Sequence, residues 1–211
     1  MKLLQFKLSC LVICLLGVVD CSDHKKGDAI KSSPTVYKES VQLQNQDTFK
    51  LGYTYWWPQS GPFLGYCGEP YSLVFLGTVV ALQEERIEQH YVAQKGMIKV
   101  DSVLFSKKLQ KKTYQNQKLI STDAFYQANI QEGDHILVCC YAYEGNYVHP
   151  GGKSILKIEG IHDPKVQSLI TYIQSGQDPR SIKGDINLWE EAQLGYDLKQ
   201  IVTCKEEMDS Y

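Results

Sequence analysis

The sequence lacks an excess of charge of either sign. Its 211 residues contain 22 lysines and arginines against 24 aspartates and glutamates, a formal net charge of -2. Proteins that bind nucleic acid normally concentrate basic residues, so this balance argues against nucleic acid as a partner. An apolar share of 43% with 22% charged residues is ordinary for a globular protein, and it excludes a disordered, collagenous or multi-span membrane chain.

The short motifs of common enzyme and metal sites are also missing. The chain contains no His-x-x-x-His, Cys-x-x-Cys or Gly-x-Ser-x-Gly sequence. Gly151-Gly152-Lys153-Ser154 matches only the end of a phosphate-binding loop, because the first glycine of that motif would fall at Tyr147, so a turn is favoured. We therefore predict that the protein is not an enzyme and that it holds no metal and no cofactor.

The amino terminus predicts export. Lys2 and Lys7 precede an apolar run of 12 residues, Leu8–Val19, which is too short to span a bilayer as a mature helix and is typical of a secretory signal. Asp20 ends the run, and Cys21 follows it. This order resembles a bacterial lipoprotein signal, in which the cysteine is lipidated and becomes the first residue of the mature chain.

That resemblance implies a signal peptide over residues 1–20, a lipid anchor on Cys21 and attachment to a membrane of the cell envelope. Residues 21–50, which are mostly polar and show no periodicity, would be the tether. Asp20 departs from the small residue that lipoprotein signals carry before the cysteine. An ordinary secretory signal, cut just after Cys21, is the alternative and would give a secreted protein.

Four cysteines lie outside the predicted signal and anchor: Cys67, Cys139, Cys140 and Cys204. An even number in an exported chain predicts two disulfides. Cys139 and Cys140 are adjacent in a strand-like run, so their side chains point to opposite faces and a bond between them would be strained. We therefore expect Cys67 to pair with one of them and Cys204 with the other. Buried free thiols are the alternative.

Hydrophobic patterns predict a β domain over residues 51–161. Strands are expected at Tyr71–Leu82, Met97–Phe105, 113–120, His135–Tyr143 and 154–161. Gly77 interrupts the first of them, which predicts a bulge or bend there. Residues 84–90 are polar and are expected to form a turn or loop.

After this domain the spacing of the apolar residues becomes that of a helix. Asp163 and Pro164 are suited to the N-cap and first position of a helix, which Gly176 would end. A second helical piece is expected over residues 188–207 with a break at Gly195. Residues 162–211 are therefore predicted to be a helical extension.

The strand pattern resembles the netrin-like module that is shared with tissue inhibitors of metalloproteinases and with similar bacterial proteins. The residues that carry the resemblance are Cys67, Leu73–Val80, Ile98–Phe105, Phe125 and Gly133–Tyr143. It implies a mainly β fold with C-terminal helices, namely a small Greek-key β-barrel of the oligonucleotide/oligosaccharide-binding (OB) type plus a helical tail. The inhibitors chelate the protease zinc through the free amine of a cysteine at the start of the mature chain, whereas Cys67 is internal.

An aromatic segment is the best candidate for a binding surface. Its candidate residues are Tyr53, Tyr55, Trp56, Trp57 and Tyr66, and Phe63 lies among them. Tyrosine and tryptophan supply large contact areas at protein hot spots and on sugar faces. Packing of the same rings against the barrel is the alternative.

Three other groups of polar or ionisable residues could in principle form a site. Lys107, Lys108, Lys111 and Lys112 predict a solvated loop, with a site for phosphate or anionic lipid as the alternative. His135 and Cys139 are about 13 Å apart on an extended strand, too far to share a metal directly. A role for His149 as a catalytic base is disfavoured against a structural role.

The sequence thus predicts an exported lipoprotein, anchored to a membrane through Cys21, that acts as a non-catalytic binding module for a protein or a glycan. The alternative is a protein similar to the metalloproteinase inhibitors that acts through the loops around Cys67.

Overall fold

The computed structural model describes residues 47–51, 61–88 and 91–210. Seven strands form one sheet: β1 Thr48–Lys50, β2 Tyr71–Glu88, β3 Tyr91–Ser106, β4 Leu119–Thr122, β5 His135–Tyr143, β6 Asn146–Val148 and β7 Ile155–Lys157. Three helices follow: α1 Pro164–Gln174, α2 Ile186–Glu190 and α3 Gly195–Met208. Short 3₁₀ turns precede β7 and α2, at Gly152–Ser154 and Pro179–Asp185.

The strands follow a Greek-key path. Strands β2, β3 and β4 are antiparallel neighbours in chain order, and β5 returns to pair with β2, which gives the spatial order β4-β3-β2-β5. The predicted fold class is therefore confirmed: the protein is mainly β, with a sheet curled into a half-barrel and helices at the C-terminal end.

Bulges curl the sheet. The β2–β3 register shifts at four places, one of them between Leu76 and Gly77, where the sequence predicts a bulge or bend. A Cβ atom on Gly77 would lie 2.7 Å from the Lys99 carbonyl oxygen and 2.4 Å from Ile98 Cγ2. Glycine is required here because the backbones of β2 and β3 approach too closely for a side chain.

Strand β5 is buried on both faces. Its residues Ile136, Val138 and Cys140 pack inside the curled sheet, whereas Leu137 and Cys139 pack on the outer face beneath the helices. We call these two clusters the inner core and the outer core. Burial on both sides explains why this strand is almost continuously apolar in the sequence.

Side chains bridge the open side of the half-barrel. Phe49 of β1 packs edge-on against Tyr147 of β6, with 5.7 Å between ring centroids. Thr122 Oγ1, at the end of β4, shares a buried hydrogen bond of 2.5 Å with Nε2 of His149, which directly follows β6. These contacts join strands that are not hydrogen-bonded neighbours along the path of the sheet.

The helices cover the outer face. Asp163 caps α1, since its Oδ1 accepts a hydrogen bond from the Lys165 amide at 2.8 Å, and Gly176 follows the helix with a φ of 79°. Trp189 of α2 is fully buried, packs edge-on against Phe63 at 4.8 Å and donates to Ser168 Oγ. The predicted helical extension shares the outer core with the sheet, so the two are packed as one unit.

Some boundaries differ from the expected ones. The sheet includes Thr48–Lys50, three residues that the sequence analysis assigns to the tether, because this short segment pairs in parallel with β4. Residues 84–88 continue β2, and residues 85–88 pair with residues 91–94, where a polar loop was expected. Backbone pairing holds this part of the hairpin together, and the Gln94 side chain adds a hydrogen bond to the Gln83 carbonyl at 3.1 Å, so a strand forms there without an apolar pattern in the sequence.

The predicted disulfide pairing is wrong. Cys67 pairs with Cys204 of α3, with Cα atoms 5.1 Å apart, and Cys139 and Cys140 are free and buried. The adjacent cysteines do point to opposite faces, as expected, but those faces are the two hydrophobic cores. The bridge instead fastens the segment before β2 to the last helix.

We predict one bridge and two free thiols among these four cysteines. Burial raises the pKa of both the Cys139 and Cys140 thiols, so they should react with iodoacetamide only after denaturation. Peptide mapping of unreduced protein should find both alkylated and should find Cys67 linked to Cys204. A linkage from Cys139 or Cys140 to either partner would contradict the structure.

The same bridge should stabilise the fold. It joins residues 137 positions apart, so the double variant Cys67→Ser/Cys204→Ser should lose ~3–5 kcal/mol in the free energy of unfolding. Urea unfolding measures this loss. As a control, a reductant should destabilise the natural chain and leave the double variant unchanged.

Candidate functional site

A groove of about 420 Å³ opens on the outer face of the sheet. Strands β2, β3 and β5 supply its floor, and the loop between β7 and α1 supplies one wall. Leu76, Ile158 and Ile161 give it an aliphatic lining, and Ile161 is 43% exposed. The groove combines an open cavity with converging polar side chains, so it is the candidate site.

Three strands each contribute one polar group to this groove. Thr78 of β2 pairs across the strands with His135 of β5, and Asp101 projects from β3. Thr78 Oγ1 lies 2.6 Å from Asp101 Oδ2 and 3.2 Å from His135 Nδ1. The bulges that curl the β2–β3 hairpin set the register that brings the three side chains together.

The hydrogen-bond directions in this cluster follow from the donors available. Thr78 has one hydroxyl proton, and the carboxylate of Asp101 is its closer and stronger acceptor. Thr78 therefore donates to Asp101 and accepts from the Nδ1–H of His135. In this tautomer Nε2 of His135 is left as an acceptor.

This arrangement suits binding better than nucleophilic catalysis. A catalytic hydroxyl gives its proton to a histidine base, whereas the Thr78 proton points to Asp101. Lys99 Nζ lies 3.7 Å from Asp101 Oδ1, so one cation already faces the carboxylate from the rim of the groove. The groove offers acceptors and an aliphatic surface to a ligand that donates hydrogen bonds.

Most of the predicted binding residues are not described by the structure. Tyr53, Tyr55, Trp56 and Trp57, like the proposed anchor Cys21, are outside the described residues. Tyr66 is described and is 66% exposed, in the turn next to Cys67 and away from the groove lining.

Two further candidates from the sequence have structural roles. Phe63 is buried in the outer core, which confirms packing for this ring. Ser154 Oγ donates to the Gly151 carbonyl at 2.6 Å, in the turn that was favoured over a phosphate-binding loop.

Sequence reasoning missed the groove. Lys99 and Asp101 are exposed residues within a predicted strand and were assigned no role, and His135 was considered only with Cys139. The available signal was Thr78, a polar residue directly after the bulge at Gly77. Only the register across three strands shows that these residues converge.

His149 is fully buried. Its hydrogen bond to Thr122 uses Nε2, and its Nδ1 has no partner among the described residues. Burial lowers the pKa of His149 from 6.5 to about 4, although the nearby charge of Asp123 opposes the shift. The histidine is therefore neutral near pH 7 and bridges the open side of the half-barrel, which is the structural role expected for it.

Two other kinds of feature are absent from the part of the chain that the structure describes. Within it, no group of three histidine, cysteine or acidic residues is placed to hold a metal ion, and no helix is long and apolar enough to cross a bilayer. The Cys67–Cys204 disulfide is typical of proteins that fold in an oxidising environment outside the cytosol.

No protein-family model matches the chain, and no curated protein matches its sequence. The resemblances to a lipoprotein signal and to the netrin-like module stay predictions.

His149 predicts a loss of stability in acid. The unfolded state binds the proton with a pKa near 6.5 and the folded state only near 4, so stability falls as the pH drops from 6.5 towards 4. Between pH 7.5 and 4.5 this group alone should cost about 2.5 kcal/mol. Urea unfolding of the natural chain and of His149→Gln at both pH values measures the difference.

The matched control is His162→Gln, which changes an exposed histidine outside the groove. Its free energy of unfolding should change between pH 7.5 and 4.5 as that of the natural chain does. In His149→Gln this change should be smaller by about 2.5 kcal/mol. An equal pH dependence in all three proteins would contradict a buried neutral His149.

Proposed function

We propose that this protein is an exported, non-catalytic binding module that is held at a membrane by a lipid on Cys21. The observation that carries the binding role is the groove, where Thr78 commits its proton to Asp101 and presents the acceptors of Asp101 and His135 above an aliphatic floor. The disulfide supports export, and the order of charged, apolar and cysteine residues at the amino terminus supports the anchor.

The groove favours a protein segment over a glycan as its ligand. Sugar faces pack best on aromatic rings, and the lining of the groove is aliphatic. A peptide supplies backbone N–H donors for Asp101 and His135 and an apolar side chain for Leu76, Ile158 and Ile161. A glycan ligand would have to use the aromatic segment around Tyr66 instead.

The exposed turn around Tyr66 supports the inhibitor-like alternative. Tyr66 projects from the turn Gly65–Gly68, which is braced by the Cys67–Cys204 disulfide and by a 2.7 Å hydrogen bond from the Glu69 amide to the Leu64 carbonyl. A rigid exposed turn loses little conformational entropy on entering a protease cleft. Cys67 itself is engaged in the bridge, so any inhibition would use the shape of the turn.

The anchor predicts fatty acylation of Cys21. Cells that produce the natural chain should incorporate an alkyne fatty-acid analogue into the protein, and cells that produce Cys21→Ala should not. A matched control, Cys140→Ala, keeps Cys21 and should label like the natural chain. Equal label in the Cys21→Ala protein would contradict the anchor and leave secretion.

The groove predicts a position-specific contact. A photo-crosslinking residue in place of Ile161, at the rim of the groove, should form one adduct of defined mass in the producing cells. The adduct should be reduced at least about tenfold by Asp101→Asn, because the charged acceptor is lost. Glu191→Gln, an exposed change on the helical side, should leave it unchanged.

Two further positions decide between the candidates. The same crosslinker at Tyr196, which is 78% exposed on α3, should give no such adduct. An adduct formed from position 66 and not from position 161 would contradict the groove and support the inhibitor-like turn. Equal adducts from positions 161 and 196 would show that contact is unspecific.

A further inference from the structure

The loop that follows β3 concentrates positive charge. From Ser102 to Thr122 the chain contains five lysines, Lys107, Lys108, Lys111, Lys112 and Lys118, and no acidic residue. Residues 162–210, which include the helices, contain nine acidic residues against five lysines and arginines. A nearly neutral protein thus carries one strongly basic surface. We call residues 107–118 the lysine loop.

Hydrogen bonds fix the backbone of the lysine loop to the half-barrel at two places. The Lys107 amide donates to the Ser72 carbonyl at 2.8 Å, and the Lys111 amide donates to the Gly145 carbonyl at 3.2 Å. Tyr147 Oη donates to the Lys107 carbonyl at 2.5 Å. These bonds hold the backbone of the loop across β2 and the β5–β6 turn, so its shape is set before any partner binds.

Buried side chains alternate with the lysines. Leu109 and Tyr114 pack into the inner core, while Lys107, Lys108 and Lys111 between and before them are exposed. Lys112 is half-buried, lies 4.4 Å over the Phe49 ring and donates to the Lys50 carbonyl. The apolar residues turn inwards and the ammonium groups turn outwards.

The exposed ammonium groups are not neutralised within the described part of the chain. None of Lys50, Lys107, Lys108, Lys111 or Lys118 lies within 4 Å of a described carboxylate, whereas Lys157, Lys165 and Lys183 each do. Lysines that are close in the chain and have no described carboxylate partner repel one another, and an external anion relieves that repulsion.

The position of the loop points to the kind of anion. Lys112 contacts β1, the strand through which the chain from Cys21 enters the sheet. Cys21 precedes Thr48 by 27 residues, a length that allows at most ~90–100 Å between them, so the anchor alone does not select the face that meets the bilayer. A basic surface at the point of entry would select it.

We propose that the lysine loop, together with Lys50, is the face that lies against an anionic lipid surface. The proposal rests on the proposed membrane location, and it adds the orientation of the domain and the headgroup charge that the surface requires. Each lysine near an anionic surface strengthens binding by about fivefold, so five or six of them act together as a strong electrostatic contact.

Amine footprinting tests this contact residue by residue. The purified protein is mixed with vesicles of phosphatidylcholine alone or with 30 mol% phosphatidylglycerol, acetylated briefly with a water-soluble reagent, and mapped by mass spectrometry. Lys107, Lys108 and Lys111 should be protected several-fold by the anionic vesicles only, and 0.5 M salt should remove the protection. Lys199, an exposed lysine of α3, should react equally in every condition.

Two double variants distinguish loss of the lipid contact from loss of the fold. Lys107→Gln/Lys108→Gln should remove most of the protection of Lys111, because the loss of two lysines should weaken binding to the anionic vesicles about 25-fold. Lys183→Gln/Lys199→Gln should leave the protection of Lys111 unchanged. Equal reactivity of the loop in both vesicles would overturn the proposal, and so would equal protection of Lys199. Protection by a DNA duplex but not by anionic vesicles would also overturn it and would indicate a soluble polyanion.

The lipid anchor on Cys21 and the lipid-facing lysine loop can be disproved independently of each other. If Cys21 carries no lipid and the anionic vesicles still protect the loop, the anchor is wrong and the lipid-facing surface stands. If Cys21 is lipidated and the loop reacts equally in both vesicles, the anchor stands and this surface is wrong.

Discussion

The fold depends on the burial of its central strand on both faces. Strand β5 places Cys140 in the inner core and Cys139 in the outer core, and β2 beside it alternates in the same way with Phe75 and Leu76. A strand that is apolar on both sides must be covered twice. The curled sheet covers one face, and the helices cover the other. The disulfide from Cys67 to Cys204 then holds the last helix on that outer face.

The same constraint explains which features could be predicted from the sequence. The run His135–Tyr143 indicated a central strand, Gly77 a bulge, and Asp163 with Pro164 a helix start, since each of these signals is local. The partner of Cys67 is not a local property, because it depends on which helix packs beside the turn before β2. The polar end of the β2–β3 hairpin gave no signal either, since it is exposed and forms through backbone pairing.

The candidate site was harder to predict than the fold for a related reason. Thr78, Asp101 and His135 come from three strands, and four register shifts separate the observed pairing of β2 and β3 from a regular ladder. A shift of one residue would turn Asp101 to the other face and remove it from the groove. The residue types were visible in the sequence, but their convergence was set by bulges whose number cannot be read from hydrophobic pattern. The lysine loop is the opposite case, because its charge is contiguous in the chain.

The two proposed surfaces are compatible with each other. The lysine loop packs through Leu109 and Tyr114 on the inner core, whereas the groove is lined by Leu76 and Ile158 of the outer core. Lys107 directly follows β3 and is six residues after Asp101, which separates the two by about 20 Å along an extended chain. A domain that rests on a lipid surface through the lysine loop therefore keeps its groove open to the aqueous side. Because the charge that attracts the membrane and the acceptors that bind the ligand belong to different faces, occupancy of one surface does not require release of the other.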